Sequence, residues 1–204
     1  MNSKQNRQFR LAARPAGLPK RSDWELTAAP VAEPGEGEVL VQVLYLSLDP
    51  AMRGWMNEGK SYIRPVQIGE VMRAGGVGRV AHSRDDKFAP GDYVTGTTGV
   101  QEYAVLRGAE LRKVDPRLAP LPVYLGALGM PGMTAYFGLL DVAQVKAGQT
   151  VVVSGAAGFL NRSRRRLAAW IAQPASERVS YTSSPQYCRR SLIQSRLYGS
   201  SPEP

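Results

Sequence analysis

Cysteine occurs once in the 204 residues, at Cys188, and histidine once, at His82. A single thiol cannot close an internal disulfide, which removes the class of small secreted domains stapled by cystines. Residues 1–158 contain no cysteine and only that histidine, so a Cys/His zinc site cannot be assembled from them. No apolar run approaches the about 18 residues that a membrane-crossing helix requires. Acidic residues are also scarce, 17 against 26 Lys+Arg, for a formal net charge of +9. A balance of that sign ordinarily directs attention to nucleic acid. Against these shortages, 43% hydrophobic and 21% charged residues describe a core-forming chain and exclude disorder throughout. The length allows one domain, or one and part of a second.

The excess charge is concentrated at one end. Residues 1–158 hold 18 Lys+Arg and 15 Asp+Glu, whereas residues 159–204 hold eight Arg, no Lys, and only Glu177 and Glu203. Twenty of the 21 glycines lie at or before Gly158, and nine serines lie after it. Two kinds of sequence meet at that point.

The first kind reads as a β-domain. Val39–Leu48 alternates as a strand with one face more deeply buried, started by the turn Pro34-Gly-Glu-Gly-Glu38. Gly75–His82 reads as a second strand, with glycines where backbones approach closely or bulge. Ala89-Pro-Gly-Asp92 turns the chain into Tyr93-Val94, and Gln101–Leu106 is a further short strand. Short strands separated by Gly/Pro turns predict a small, closed or partly open β-barrel. Beyond Pro120, Tyr124–Gly129 and Met133–Leu140 have helical apolar spacing, broken by Pro131-Gly132. Thr150–Ser154 is then an apolar β-run that opens into Gly155-Ala-Ala-Gly158, the way a dinucleotide-binding unit begins. On spacing alone the glycine turn is weak evidence, because such turns after strands are commonly structural. The next glycine of the pattern would fall at Asn161, and Asn161–Arg166 departs from it.

Four stretches together resemble a known family. Tyr45-Leu-Ser-Leu-Asp-Pro-Ala-Met-Arg-Gly54, Gly91-Asp92, Leu128-Gly-Met-Pro-Gly-Met-Thr-Ala-Tyr136 and Val151–Gly158 are similar to the zinc-independent medium-chain dehydrogenase/reductases. Within them the chain resembles the NADPH-dependent alkenal/one double-bond reductases of the curcumin, prostaglandin and leukotriene type. The resemblance runs from about Gln8 to Gly158. It implies a mainly β, GroES-like, partly open barrel over residues 1–125 that serves as substrate domain. Residues 126–158 would be a linker helix with the first strand and glycine turn of a Rossmann cofactor domain. The implied reaction gives hydride from NADPH to the β-carbon of an α,β-unsaturated carbonyl, an enone or alkenal. The family is cytoplasmic, uses no metal and is not expected to meet membrane or nucleic acid; complete members can form homodimers.

Carried over position by position, the resemblance places Tyr45, Asp49, Arg53 and Tyr62 on the substrate side. It places Met130, Gly132, Met133 and Thr134, with Pro131, beside the nicotinamide, and Ala156, Ala157 and Gly158 at the pyrophosphate turn. No general acid or base is assigned. Plainer roles stand beside these: Tyr45 as core, Asp49 as a turn cap before Pro50, Arg53 as a brace for its loop, and His82 as a surface residue. Ala51 stands where the family often has tyrosine.

Residues 159–204 match nothing in that family and are expected to be disordered. A reading frame displaced by one base through the codons of Ser163–Trp170 can encode Val-Ala-Ala-Gln-Ile-Gly-Arg-Leu, which resembles the family's helix after the glycine turn. The expectation is a truncated, frameshifted reading of a reductase gene, or an equivalent splice or gene-model error. Such a chain would hold NADPH poorly and be inactive, with Thr150–Ser154 left exposed. The competing class is a small β-barrel binding module whose Arg/Ser tail engages RNA or DNA. The basic N-terminus looks superficially like a transit peptide, but the resemblance already begins at Gln8-Phe-Arg-Leu-Ala-Ala-Arg-Pro15, which favours a strand.

Overall fold

The computed structural model describes residues 4–59, 61–154 and 192–195. They fall into two compact units, Met1–Leu125 and Gly126–Pro204.

The first unit is built on β1 (Gln5–Leu11), β2 (Trp24–Pro30), β3 (Glu38–Leu46), β4 (Gly76–Ser83), β5 (Tyr93–Gly96), β6 (Tyr103–Arg107) and β7 (Arg112–Val114). Five of these make one sheet in the order β6-β3-β4-β5-β7, and β1 and β2 form an antiparallel ribbon. Every pairing in the sheet is antiparallel. The ribbon is joined to the rest by single bridges, Gln8 to Gln101 and Arg10 to Val71. Backbone bonds from Phe9 N–H to Val100 O (2.9 Å) and from Met72 N–H to Phe9 O (2.9 Å) reinforce them. A sheet curled against a ribbon and closed by isolated bridges is a partly open barrel, the architecture the turn-separated strands predict.

β3 departs from simple alternation. Val39, Leu40 and Val41 are all buried in succession, because β3 is central and its register against β4 shifts at Leu40/Val41 and again at Val43/Tyr45. Val39 and Val41 pack with Val80, Phe88 and Val94 in one core cluster. Leu11, Met52, Met56, Val66, Met72 and Ala74 form a second cluster. Opposite β3, Gly78 has no room for a side chain: a Cβ there would collide with the Gln42 carbonyl oxygen and reach Val41 Cγ1 at 2.6 Å.

β1 buries two polar residues as well as Leu11. Asn6 and Gln8 are buried and Phe9 is 44% exposed. Asn6 makes this tolerable by behaving like a strand rung. Its Nδ2 donates to Tyr103 O (2.8 Å) and its Oδ1 accepts the Tyr103 N–H (2.9 Å). Gln8 Nε2 donates to Gln101 Oε1 at 2.9 Å. Buried polar groups are stable only with such partners.

The stretch Tyr124–Gly129 spans the end of the first unit and the start of the second, and forms no α-helix. A 3-10 turn, Leu121–Leu125, ends the first unit, and the Gly126 carbonyl then accepts from both Gly129 and Gly132. Pro131-Gly132 does not break a helix either. It lies in the first turn of α2 (Met130–Phe137), where proline's missing N–H is not needed. A π-helical turn, Gly138–Val142, continues it.

β8 (Val151–Ser154) occupies the expected apolar run. It pairs antiparallel with β9 (Leu192–Ser195), Val151 opposite Ser195. An open strand edge accepts a short apolar segment, and Leu192-Ile193 supplies one. The glycine turn and the codons tested for a displaced frame lie outside the described residues.

Candidate functional site

The substrate-side residues named from the sequence lie on one stretch that leaves β3, forms α1 (Ala51–Trp55) and returns through Tyr62 to Val66. Tyr45 is 47% exposed, which sets aside its reading as core. The register shift between Val43 and Tyr45 turns it off the buried face. Asp49 marks the entry to α1. Its backbone carbonyl accepts the Met52 N–H (2.9 Å), its own N–H meets Met52 Sδ (3.3 Å), and its carboxylate accepts the Ser47 hydroxyl (2.9 Å). It therefore turns the chain through its backbone and does not cap α1 with its side chain.

Arg53 is committed in three directions. Nε donates to Gly17 O (2.9 Å), one terminal nitrogen to Pro15 O (2.9 Å), and the other to Asn57 Oδ1 (2.5 Å). Tyr62 is exposed, and its hydroxyl oxygen accepts the indole N–H of Trp55 at 2.9 Å. Trp55 thus joins Tyr62 to the helix that carries Arg53. Among the described residues no side-chain hydrogen bond joins Tyr45 to this group.

On α2, Met130 and Met133 are exposed at 72% and 52%, an apolar and polarisable pair. Gly132 is required by crowding, since a Cβ would collide with the Ala127 carbonyl. Thr134 Oγ1 donates to Met130 O (2.8 Å), which uses its proton and leaves its lone pairs to accept. Ala156, Ala157 and Gly158 lie outside the described residues. His82 is on β4, half exposed, with Nδ1 3.2 Å from the Glu33 carboxylate.

Residue-type reasoning missed a cleft of about 530 Å³ in the first unit, lined chiefly by Phe9, Leu26, Val43, Leu44, Leu46 and Val100. The signal for it was the outward face of β1, which the polar burial of Asn6 and Gln8 disguises. Charged groups near the candidate loop are balanced locally. Glu70 is held below the usual carboxylate range, first by the Gln67 N–H and then by the Arg64 guanidinium. Among the described residues no group of three or more His, Cys, Asp or Glu could hold a metal, and no helix is long and apolar enough to cross a membrane.

Residues 7–114 match the family model described as the N-terminal domain of oxidoreductase. The chain belongs to this oxidoreductase family. It is 47% identical over 153 residues to the NADPH-dependent curcumin reductase of Escherichia coli, covering 75% of this chain and 44% of that one. It is 42% identical over 163 residues to the NADP(+)-dependent 2-alkenal reductase of Nicotiana tabacum, covering 77% and 47%. The crystal structure of CurA from Vibrio vulnificus in complex with NADPH superposes with a TM-score of 0.71 at 38% identity, over 81% of this chain and 49% of that one. The family therefore lies in the medium-chain dehydrogenase/reductase fold, as the resemblance implies. The chain spans about half the length of the curated relatives it matches.

Proposed function

We propose that this chain is the N-terminal part of an NADPH-dependent reductase of α,β-unsaturated carbonyls, carrying substrate-side residues on the stretch from Tyr45 to Tyr62 and the first cofactor-side residues on α2. The observation that carries the reading is the 47% identity to a curcumin reductase over three quarters of the chain. The residues on α2 suit a nicotinamide. Met130 and Met133 offer an exposed apolar surface to the ring, and Thr134 can accept from the carboxamide N–H. The pyrophosphate would fall to Ala156, Ala157 and Gly158. When bound, NADPH supplies the hydride that the β-carbon receives.

On the substrate side, this reading assigns the carbonyl to Tyr62. Because its oxygen accepts from Trp55, its own proton is free to be donated. A phenol donating to the carbonyl oxygen stabilises the negative charge that develops there. Tyr45 and Asp49 flank the same stretch, and Arg53 holds it. The chemistry assigned to this protein needs no metal, as the absence of cysteine and the single histidine of residues 1–158 favour. A cytoplasmic setting is an expectation carried over from the family. A homodimer is an added expectation, carried over from the family.

The Arg/Ser-rich residues 159–204 are, on this reading, an out-of-frame translation. The 204 residues alone then lack the positioning of the hydride donor on which turnover depends. The test is NADPH-dependent reduction of curcumin by the 204-residue chain and by the product of the gene with the frame restored after codon 158. The expected result is turnover by the second and none by the first. Turnover by the 204-residue chain refutes the reading of its tail, and inactivity of both refutes the reductase assignment.

A further inference from the structure

α1 is only five residues long and has no side chain capping its N-terminus, so its own hydrogen bonds cannot fix its place. Two arginines do so from opposite sides. Arg53, on α1, reaches out to the carbonyls of Pro15 and Gly17. Arg14, one residue before that pair, reaches back to the carbonyls of Met56 (2.7 Å) and Val66 (3.2 Å), with Nε 3.4 Å from the Glu58 carboxylate. The Arg14 side chain is largely buried in doing this. Each segment thus lends a guanidinium to the other's backbone. Val66 N–H also donates to Trp55 O (2.8 Å), and Arg73 lies 5.6 Å from the Trp55 ring centroid. The path from the two arginines through α1 to Trp55, and from its indole N–H to Tyr62, is continuous.

We infer that Arg14 and Arg53 form a reciprocal clasp that sets the position of the Asp49–Tyr62 loop, and that Arg53 is a positioning residue which does not touch substrate. The inference deepens the reductase reading and rests on it for the identity of the ligand. Its physical ground is that every nitrogen of the Arg53 guanidinium is already engaged with Pro15, Gly17 or Asn57. Arg suits the task because its planar fork serves separate acceptors at fixed angles, which a lysine ammonium cannot reproduce. Arg14 lies outside the family's substrate-side positions, so it distinguishes a clasp from a direct contact.

The test uses the full 204-residue chain, curcumin as fluorescent probe, and the variants Arg14→Met, Arg53→Met, their combination, and Arg53→Lys. Each single methionine variant is expected to weaken curcumin binding about tenfold, the scale of one or two charge-assisted hydrogen bonds. The double variant is expected to be no weaker than either single, because both remove one device. Amide exchange of residues 51–57 should quicken in every variant while β3 and β4 keep their protection, which separates loop release from failure to fold. A loss confined to Arg53→Met, with Arg14→Met binding normally, overturns the clasp and makes Arg53 a direct contact. So does restored affinity in Arg53→Lys. If the unsubstituted chain binds no curcumin, the substrate-side reading fails, and the exchange data decide the clasp alone: faster loop exchange supports it and unchanged exchange overturns it.

Discussion

Asn6→Ala should damage this fold out of proportion to the side chain it removes. Asn6 is 6% exposed, and its amide satisfies both the N–H and the C=O of Tyr103 at 2.9 and 2.8 Å. Tyr103 faces Gln42 in the β3–β6 register, yet its own polar groups turn away from β3 towards Asn6. No strand partner is available to replace the amide. Each buried group left unpaired costs about 1–3 kcal/mol, so losing both should cost about 2–6 kcal/mol. Against a typical domain stability of about 5–15 kcal/mol, that is a large fraction. Asn6→Asp keeps the acceptor for the Tyr103 N–H but sets a carboxylate against the carbonyl, so it should recover stability as pH falls and the carboxyl gains a proton. The assay is the denaturant midpoint by far-ultraviolet circular dichroism, joined to amide exchange in β1 and β6. A change below about 0.5 kcal/mol for Asn6→Ala, within the usual range for surface substitutions, would refute the argument that this amide closes the barrel.

Three further outcomes are expected. Gly78→Ala should lower the thermal midpoint sharply, because its Cβ collides with the Gln42 carbonyl across the β3–β4 pair; an unchanged midpoint would mean the strands can separate without cost. Acid should weaken the fold through carboxylates whose folded pKa is depressed: Asp115, held at about 2 chiefly by the Arg117 guanidinium, Glu70 by the Gln67 N–H, Asp92 by the Ala89 N–H and Glu102 by Arg7. Their contribution is complete above the ordinary carboxylate range, about pH 4.5, and disappears as pH falls from there towards 2; an Asp115 carboxyl that titrates near 4 by NMR would contradict it. In the frame-restored enzyme, Tyr62→Phe should lower kcat about tenfold to a hundredfold with little change in KM, the mark of a donor that acts as charge develops; equal losses in neither parameter would remove Tyr62 from the chemistry.

How much of this was legible in the sequence varies with the physics of each element. β3 to β6 were readable because Gly/Pro turns separate them and Gly78 marks a close approach, whereas the three-residue β7 was not anticipated. The inward face of β1 was not readable as one alternation, because Asn6 and Gln8 are buried at its start and Leu11, out of phase with them, at its end, and only the Asn6–Tyr103 pairing accounts for the first. Tyr45 looked like core because a bulge between Val43 and Tyr45 has no signature in residue type. The start of α2 was misplaced because Pro131 was taken as a breaker, when it lies in the first turn. Arg53 is the instructive site residue. Motif resemblance gives its position, and only the carbonyls of Pro15 and Gly17, some 36 residues away along the chain, reveal what its guanidinium does.

The reductase assignment is tested most directly by following the transferred atom. With NADPH deuterated at the transferable position of the nicotinamide and curcumin or a 2-alkenal as acceptor, the frame-restored protein should give a saturated carbonyl product with deuterium at the β-carbon. Deuterium at the former carbonyl carbon, or a product without deuterium, would contradict the account.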